Sequence, residues 1–199
     1  YDAHTITIKS GKDVEVLENV VFGEVWLCSG QSNMQWYVMR DPEMKADLKN
    51  PANSKIRLYD TGRIWATTPQ NEVPAQKKHK TQWSVCNPKA LAKFTAVGYG
   101  FGKELQENLN VPIGLIDASY GGTPIEGWLG AEYLANNPKV AAATRKLKSK
   151  KWKSRVSHLH NANIYPIHHT TIAGTIWYQG CSNVSNCGSY YGLLSHLIK

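Results

Sequence analysis

Acidic residues are outnumbered in this sequence: 15 aspartates and glutamates stand against 23 lysines and arginines, a formal net charge of +8. Cysteine is sparse as well. Cys28, Cys86, Cys181 and Cys187 show no Cys-x-x-Cys spacing, which removes the usual structural zinc site, and four are too few for a disulfide scaffold. Cys181 and Cys187 could close a small loop in an oxidising compartment; buried free thiols are the other reading. No apolar run approaches the roughly 20 residues needed to cross a bilayer. No leader-like segment opens the chain, and no repeat or low-complexity tract interrupts it. A membrane-spanning or fibrous protein is not expected.

The 199 residues, 42% hydrophobic and 10% aromatic, suffice for one domain with a real core and a piece of a second. Basic residues crowd between Arg145 and Arg155. A solvated basic face explains such a run, as does attraction for acidic glycans; nucleic acid is not expected as a partner. His4 to Ile8 alternate, Ser10-Gly11-Lys12-Asp13 makes a turn and Val14 to Leu17 continue, which predicts a hairpin. Residues 1–22 are therefore expected to be the tail of an upstream β domain, with 23–199 a separate α/β domain.

The central stretch is Gly23-Glu24-Val25-Trp26-Leu27-Cys28-Ser29-Gly30-Gln31-Ser32-Asn33-Met34. Its first half is apolar and β-favouring, and Ser29-Gly30 breaks it, so Ser32 lies just past a strand's carboxyl end. A serine on such a turn is accessible to an acyl carbon, although an ordinary strand-ending turn would look the same. Ile56 to Tyr59 predict a short strand, and 61–87 a long irregular segment. Phe94, Val97, Phe101, Leu105 and Leu109 fall on one face of a helix that Thr95 can cap and Asn110-Val111-Pro112 can end. Gly98, Gly100 and Gly102 within it imply close approach to a strand.

Ile113 to Ala118 predict a second buried strand, followed by Ser119-Tyr120-Gly121-Gly122-Thr123-Pro124-Ile125-Glu126. Thr123 and Glu126 have capping-box spacing, with Pro124 at the first helical position. Glycines there can leave N–H groups for an anion or oxyanion, or simply make a turn. One or two helices are expected between Ala131 and Ser157. Ile172 to Tyr178 predict a third strand, ending in Gln179-Gly180-Cys181-Ser182-Asn183, and Tyr190, Leu193, Leu194 and Leu197 a last helix. Strands alternating with helices imply a parallel sheet whose right-handed crossovers bring every carboxyl end to one edge. A serine, a glycine pair and two amides meeting there are parts suited to acyl transfer.

These blocks resemble the sialate O-acetylesterase-like carbohydrate esterases of the SGNH hydrolase superfamily. The resemblance spans nearly the whole chain: the Ser32 block, Phe94 to Ile116, Ser119 to Trp128, and Trp177 to Asn183. It implies a three-layer α/β/α flavodoxin-like fold with a parallel sheet and a serine esterase acting on O-acetylated glycans, most of all sialic acids. It further implies a periplasmic, secreted or lysosomal setting. No cofactor and no metal are required. By resemblance Ser32 is the nucleophile, and its own N–H, that of Gly121 and an amide of Gln179 or Asn183 are oxyanion donors. Gln31, Asn33 and Gly122, which flank them, are expected to bind substrate.

The chain departs from the family pattern in three places. Cys181 stands where a glutamate is usual, and Tyr120 where a tryptophan is. No aspartate is followed three residues later by histidine, the block that supplies the base. His168 and His169 precede the last strand and would lie roughly 30 Å from the active edge at about 3.3 Å per residue. His158 and His160 sit before the same strand, and His196 along a helix leading away. A C-terminally incomplete esterase domain is the expectation. A catalytically inactive glycan-binding domain of the same fold is the alternative.

Overall fold

Two sheets share the chain, which a computed structural model describes over residues 2–50, 53–77, 79–144 and 155–198. β1 (His4–Ser10) and β2 (Asp13–Val20) form the expected antiparallel hairpin, with Gly11 in the left-handed region that its tight turn requires. The hairpin makes a two-stranded sheet of its own and leaves Ile8, Val14, Val16 and Leu17 largely exposed.

The second sheet is built from β3 (Glu24–Gly30), β4 (Asn53–Asp60), β5 (Ser84–Cys86), β6 (Ile113–Ser119) and β7 (Gly174–Tyr178), in the order β5-β4-β6-β3-β7. β3, β4, β6 and β7 run parallel. β5 runs antiparallel to β4, so the sheet is mixed rather than wholly parallel, and the segment expected to be irregular over 61–87 supplies this edge strand. β3 lies between β6 and β7, with Gly30 level with both Ser119 and Tyr178. The carboxyl ends of the three strands that bear the candidate residues are thus side by side.

Successive β3 side chains point to opposite faces, and both faces are covered. On one, Trp26 and Cys28 join Ile56, Leu58, Ile113 and Leu115 beneath α1 (Pro88–Leu91) and α2 (Ala96–Leu109). On the other, Leu27, Ile116 and Ala118 pack with Trp128, Leu159 and Trp177. Single turns at Ile125–Trp128 and His160–Ile164 belong to that layer, with α3 (Ala131–Asn136), α4 (Pro138–Thr144) and α5 (Cys187–Leu197). The result is an α/β/α sandwich. The basic run falls almost wholly on 145–154, outside the described residues. Among the described residues no helix is long and apolar enough to cross a membrane.

α2 begins as its sequence suggests, the Thr95 hydroxyl accepting from the Gly98 N–H at 3.1 Å, and ends at Asn110 with a left-handed φ of 54°. Its buried face differs from the expected one. Ala96, Gly98, Tyr99 and Gly102 face the protein, while Val97 and Leu109 are exposed and Phe101 and Leu105 half-buried. The glycines explain the rotation: a Cβ at Gly102 would lie 2.7 Å from Leu115 Cδ1, and one at Gly98 2.8 Å from Cys28 Sγ. The helix backbone rests directly on the sheet, and its larger apolar side chains are pushed to the margins.

The capping box at Thr123 and Glu126 does not form. Ile125–Trp128 is one 3-10 turn with no side-chain cap, too short to present the N–H groups that such a box would satisfy. Thr123 Oγ1 instead donates to the Tyr120 carbonyl at 2.6 Å and accepts from Trp128 Nε1 at 3.3 Å. Glu126, fully buried, accepts from Asn183 and Asn186.

Candidate active site

The three strand ends are tied together through backbone. Gln31 N–H donates to the Tyr178 carbonyl and Tyr120 N–H to the Gly30 carbonyl, each at 3.0 Å. Gly30 is required at this junction: its φ is 141°, and a Cβ would lie 2.2 Å from the Tyr178 oxygen. The chain then makes a turn closed by Gln35 N–H to the Gln31 carbonyl at 2.9 Å. Met34, 1% exposed, anchors this turn in the core, and Ser32 and Asn33 are left facing outward. Neither has a side-chain hydrogen bond among the described residues.

Gly121 closes over the serine. A Cβ built on Gly121 would come within 3.5 Å of Ser32 Cβ, an ordinary contact, and within 3.0 Å of Gln35 Oε1. The Gly121 N–H donates to Gln35 Oε1 at 2.7 Å, while Gln35 Nε2 donates to the Tyr37 hydroxyl at 3.1 Å. Gly122 follows with φ 71°, a backbone that turns away sharply and suits glycine. The first two expected site elements are therefore adjacent.

The third loop reaches the first through amides. Gln31, 4% exposed, offers its Oε1 to Gln179 Nε2 at 3.0 Å, Ser182 N–H at 3.1 Å and Gly180 N–H at 3.3 Å. Gln179 Nε2 also faces the Thr123 carbonyl at 3.1 Å and Asn183 Oδ1 at 2.8 Å. Asn183 is 2% exposed; its Oδ1 accepts from the Ile125 N–H at 2.9 Å and its Nδ2 donates to Glu126 Oε2 at 2.8 Å. Two amide hydrogens on Gln179 thus meet three acceptors, and both Asn183 groups are engaged. These side chains brace the loops, and neither is hydrogen-bonded to Ser32. Cys181 is exposed at the start of its turn, whereas Tyr120 packs partly buried in the core.

A charged group at the same edge escaped the sequence reading. Arg63 spans Asp60 at 2.8 Å and Asp117 at 3.1 Å, and Ser119 donates to Asp117 at 2.5 Å. Burial raises the wholly buried Asp117 carboxyl to about 6, outweighing the attraction of Arg63 and the Ser119 hydrogen bond. Burial works against the Arg63 charge too, but Asp117 and Asp60 hold it firmly protonated. The guanidinium lies 5.9 Å from the Tyr37 ring centroid, next to Gln35's partner.

Among the described residues, Ser32 has no hydrogen bond to any of the seven histidines. His196 Nδ1 lies 2.6 Å from the Tyr133 hydroxyl, His158 stacks on Trp65, and His168 packs between Tyr165 and His169. Burial pushes the His160 imidazole below its ordinary pKa. His79, not considered from sequence, does sit at the carboxyl edge, its Nε2 2.7 Å from the Asp60 carbonyl. That carbonyl ends β4, two strand spacings or about 10 Å from the end of β3.

Residues 22–199 match the model of a family described as carbohydrate esterase, sialic acid-specific acetylesterase. The human sialate O-acetylesterase is 36% identical over 177 residues, covering 85% of this chain and 33% of that protein. The mouse sialate O-acetylesterase is 30% identical over 216 residues, 92% of this chain and 39% of that protein. The crystal structure of a carbohydrate acetylesterase from Xanthomonas citri superimposes with a TM-score of 0.83 at 26% identity, covering 98% of this chain and 42% of that one. The chain spans about a third of the length of the curated relatives it matches. With the family match running from the end of the hairpin through the last helix, the chain belongs to the sialic acid-specific acetylesterase family of carbohydrate esterases.

Proposed function

We propose that the chain carries the nucleophile and oxyanion side of a serine esterase that removes O-acetyl groups from sugars, sialic acids foremost. The observation that carries this reading is the exposed Ser32 turn packed against Gly121 where β3 and β6 end together. Ser32 Oγ attacks the acetyl carbonyl, and the N–H groups of Ser32 and Gly121 receive the negative charge that develops on its oxygen. Collapse expels the sugar hydroxyl and leaves an acetyl-serine, which water cleaves to acetate. Asn33 and Gly122, exposed beside Ser32, are placed to meet the sugar, whereas Gln31, expected to do the same, is 4% exposed with its Oε1 held by three internal donors and braces the loops instead. Gln179 and Asn183, expected to supply a third donor, serve through the loops they brace.

Serine needs a base to be an effective nucleophile, and no residue described here is assigned that role. Turnover by these 199 residues alone is therefore expected to be weak. Residues 1–22 are read as the tail of a neighbouring β domain, since the family match begins where the hairpin ends. A glycan substrate suits a periplasmic, secreted or lysosomal setting.

The test is acetate release from a mono-O-acetylated sialic acid. Ser32→Ala is expected to abolish whatever release occurs while leaving sugar binding intact. A second reading is a glycan-binding domain without turnover; among the described residues Ser32 has no histidine bonded to it. Binding by the parent with no acetate released, and no acetyl-serine trapped at Ser32, would select it.

A further inference from the structure

Gly121 is proposed above as an oxyanion donor, yet its N–H already has an acceptor in the chain, Gln35 Oε1 at 2.7 Å. That acceptor is the oxygen of a carboxamide, the same kind of atom as the carbonyl oxygen of an ester. Its orientation is fixed by chemistry: the Gly121 N–H can only donate, so the oxygen and not the nitrogen of Gln35 faces it. The backbone on either side of Gln35 is fastened as well. Gln35 N–H bonds to the Gln31 carbonyl, Ala96 N–H donates to the Trp36 carbonyl at 2.7 Å, and Tyr37 pairs with Thr95. Only the side chain is left to move, and its Oε1 and Ser32 Cβ both border Gly121.

We infer that Gln35 is a built-in carbonyl mimic: it holds the Gly121 N–H in the resting protein and is displaced by the acyl oxygen of the substrate. The inference rests on the esterase reading and adds a residue that sets affinity for the acetyl group. The Gly121 N–H is half-buried, where an unmade hydrogen bond still costs free energy, so the mimic keeps the donor satisfied and the glycine loop in place between turnovers. The substrate must compete with it, which lowers apparent affinity by the fraction of molecules in which the site is filled. On displacement Gln35 Nε2 can stay on the Tyr37 hydroxyl, so the side chain pivots about one end.

Two variants test this in a Ser32→Ala background, where the ester survives. Gln35→Met keeps length and shape but removes the acceptor. It is expected to bind mono-O-acetylated sialic acid about three- to tenfold more tightly by calorimetry, the span of one modest hydrogen bond. Gln35→Glu keeps an acceptor and adds charge, and is expected to bind about tenfold more weakly at neutral pH, recovering as the solution is acidified through the range of a carboxylate. Amide exchange at Gly121 supplies a readout independent of binding: it should be slow in the parent and faster in Gln35→Met. Unchanged Gly121 exchange, or weaker or unaltered binding by Gln35→Met when the parent binds, overturns the inference alone. No binding by any form, with Gly121 exchange responding as expected, overturns the esterase reading and this inference with it.

Discussion

Asn183 shows how much of this site is scaffolding. Replacing it by alanine strips one partner from the buried Glu126 carboxyl and the only one shown for the Ile125 N–H, and opens room beside Gln179. The expected cost is about 3 kcal/mol, a fall in Tm on the order of 10 °C, measured by thermal melting of Asn183→Ala. Asp117 gives a pH signature. Its folded-state pKa, about 6, lies above the usual 3.8, so between these values the native chain binds more protons than the unfolded one. Stability from this group therefore falls as pH rises through that window, by up to about 3 kcal/mol, and is level above it. Asp117→Asn should lose that slope in denaturant titrations at pH 4.5 and pH 7.5. That Ser32, Gly121 and Gln179 lie past neighbouring strand ends was legible in the sequence because each follows a β-favouring run; that Gln179 braces the loops was not. Gln35, Arg63 and Asp117 were not, since their importance lies in side-chain contacts with segments dozens of residues away.

Among the elements, α2 separates what periodicity can show from what it cannot. Its existence, its Thr95 cap and its end at Asn110 followed from local chemistry, whereas the buried face depended on how closely the backbone could approach Leu115 and Cys28. Gly102→Ala tests that contact. Alanine gains about 1 kcal/mol in helix propensity, yet its Cβ would meet Leu115 at 2.7 Å, and overpacking costs about 1–3 kcal/mol. A net loss of stability is expected in urea unfolding; a gain would mean that the helix can lift off the sheet. The unformed capping box carries the same lesson. Thr123 and Glu126 have the right spacing, but long-range amides claim the Glu126 carboxyl first.

For the molecule as a whole, the convergence of three loops was legible because parallel strands leave little freedom about where their ends lie. The antiparallel β5 was not, since a three-residue edge strand carries almost no pattern of its own. The placing of β3 between β6 and β7 has a further consequence, one of time. β3 is the first of the parallel strands to be synthesised, yet its neighbours arrive far later: Ser29 bonds to Ala118, 89 residues on, and Gln31 to Gln179, 148 residues on. Contacts of such long sequence separation close large loops before they return any stabilisation, so folding should be slow, on the order of milliseconds to seconds or longer. Stopped-flow refolding followed by tryptophan fluorescence should show the main phase there; completion within microseconds would contradict it. On the ribosome the apolar strand that leads into Ser32 must wait with both edges open until Ile113–Ser119 has been made, and with one open until Gly174–Tyr178 follows, which makes this segment the natural client for a chaperone.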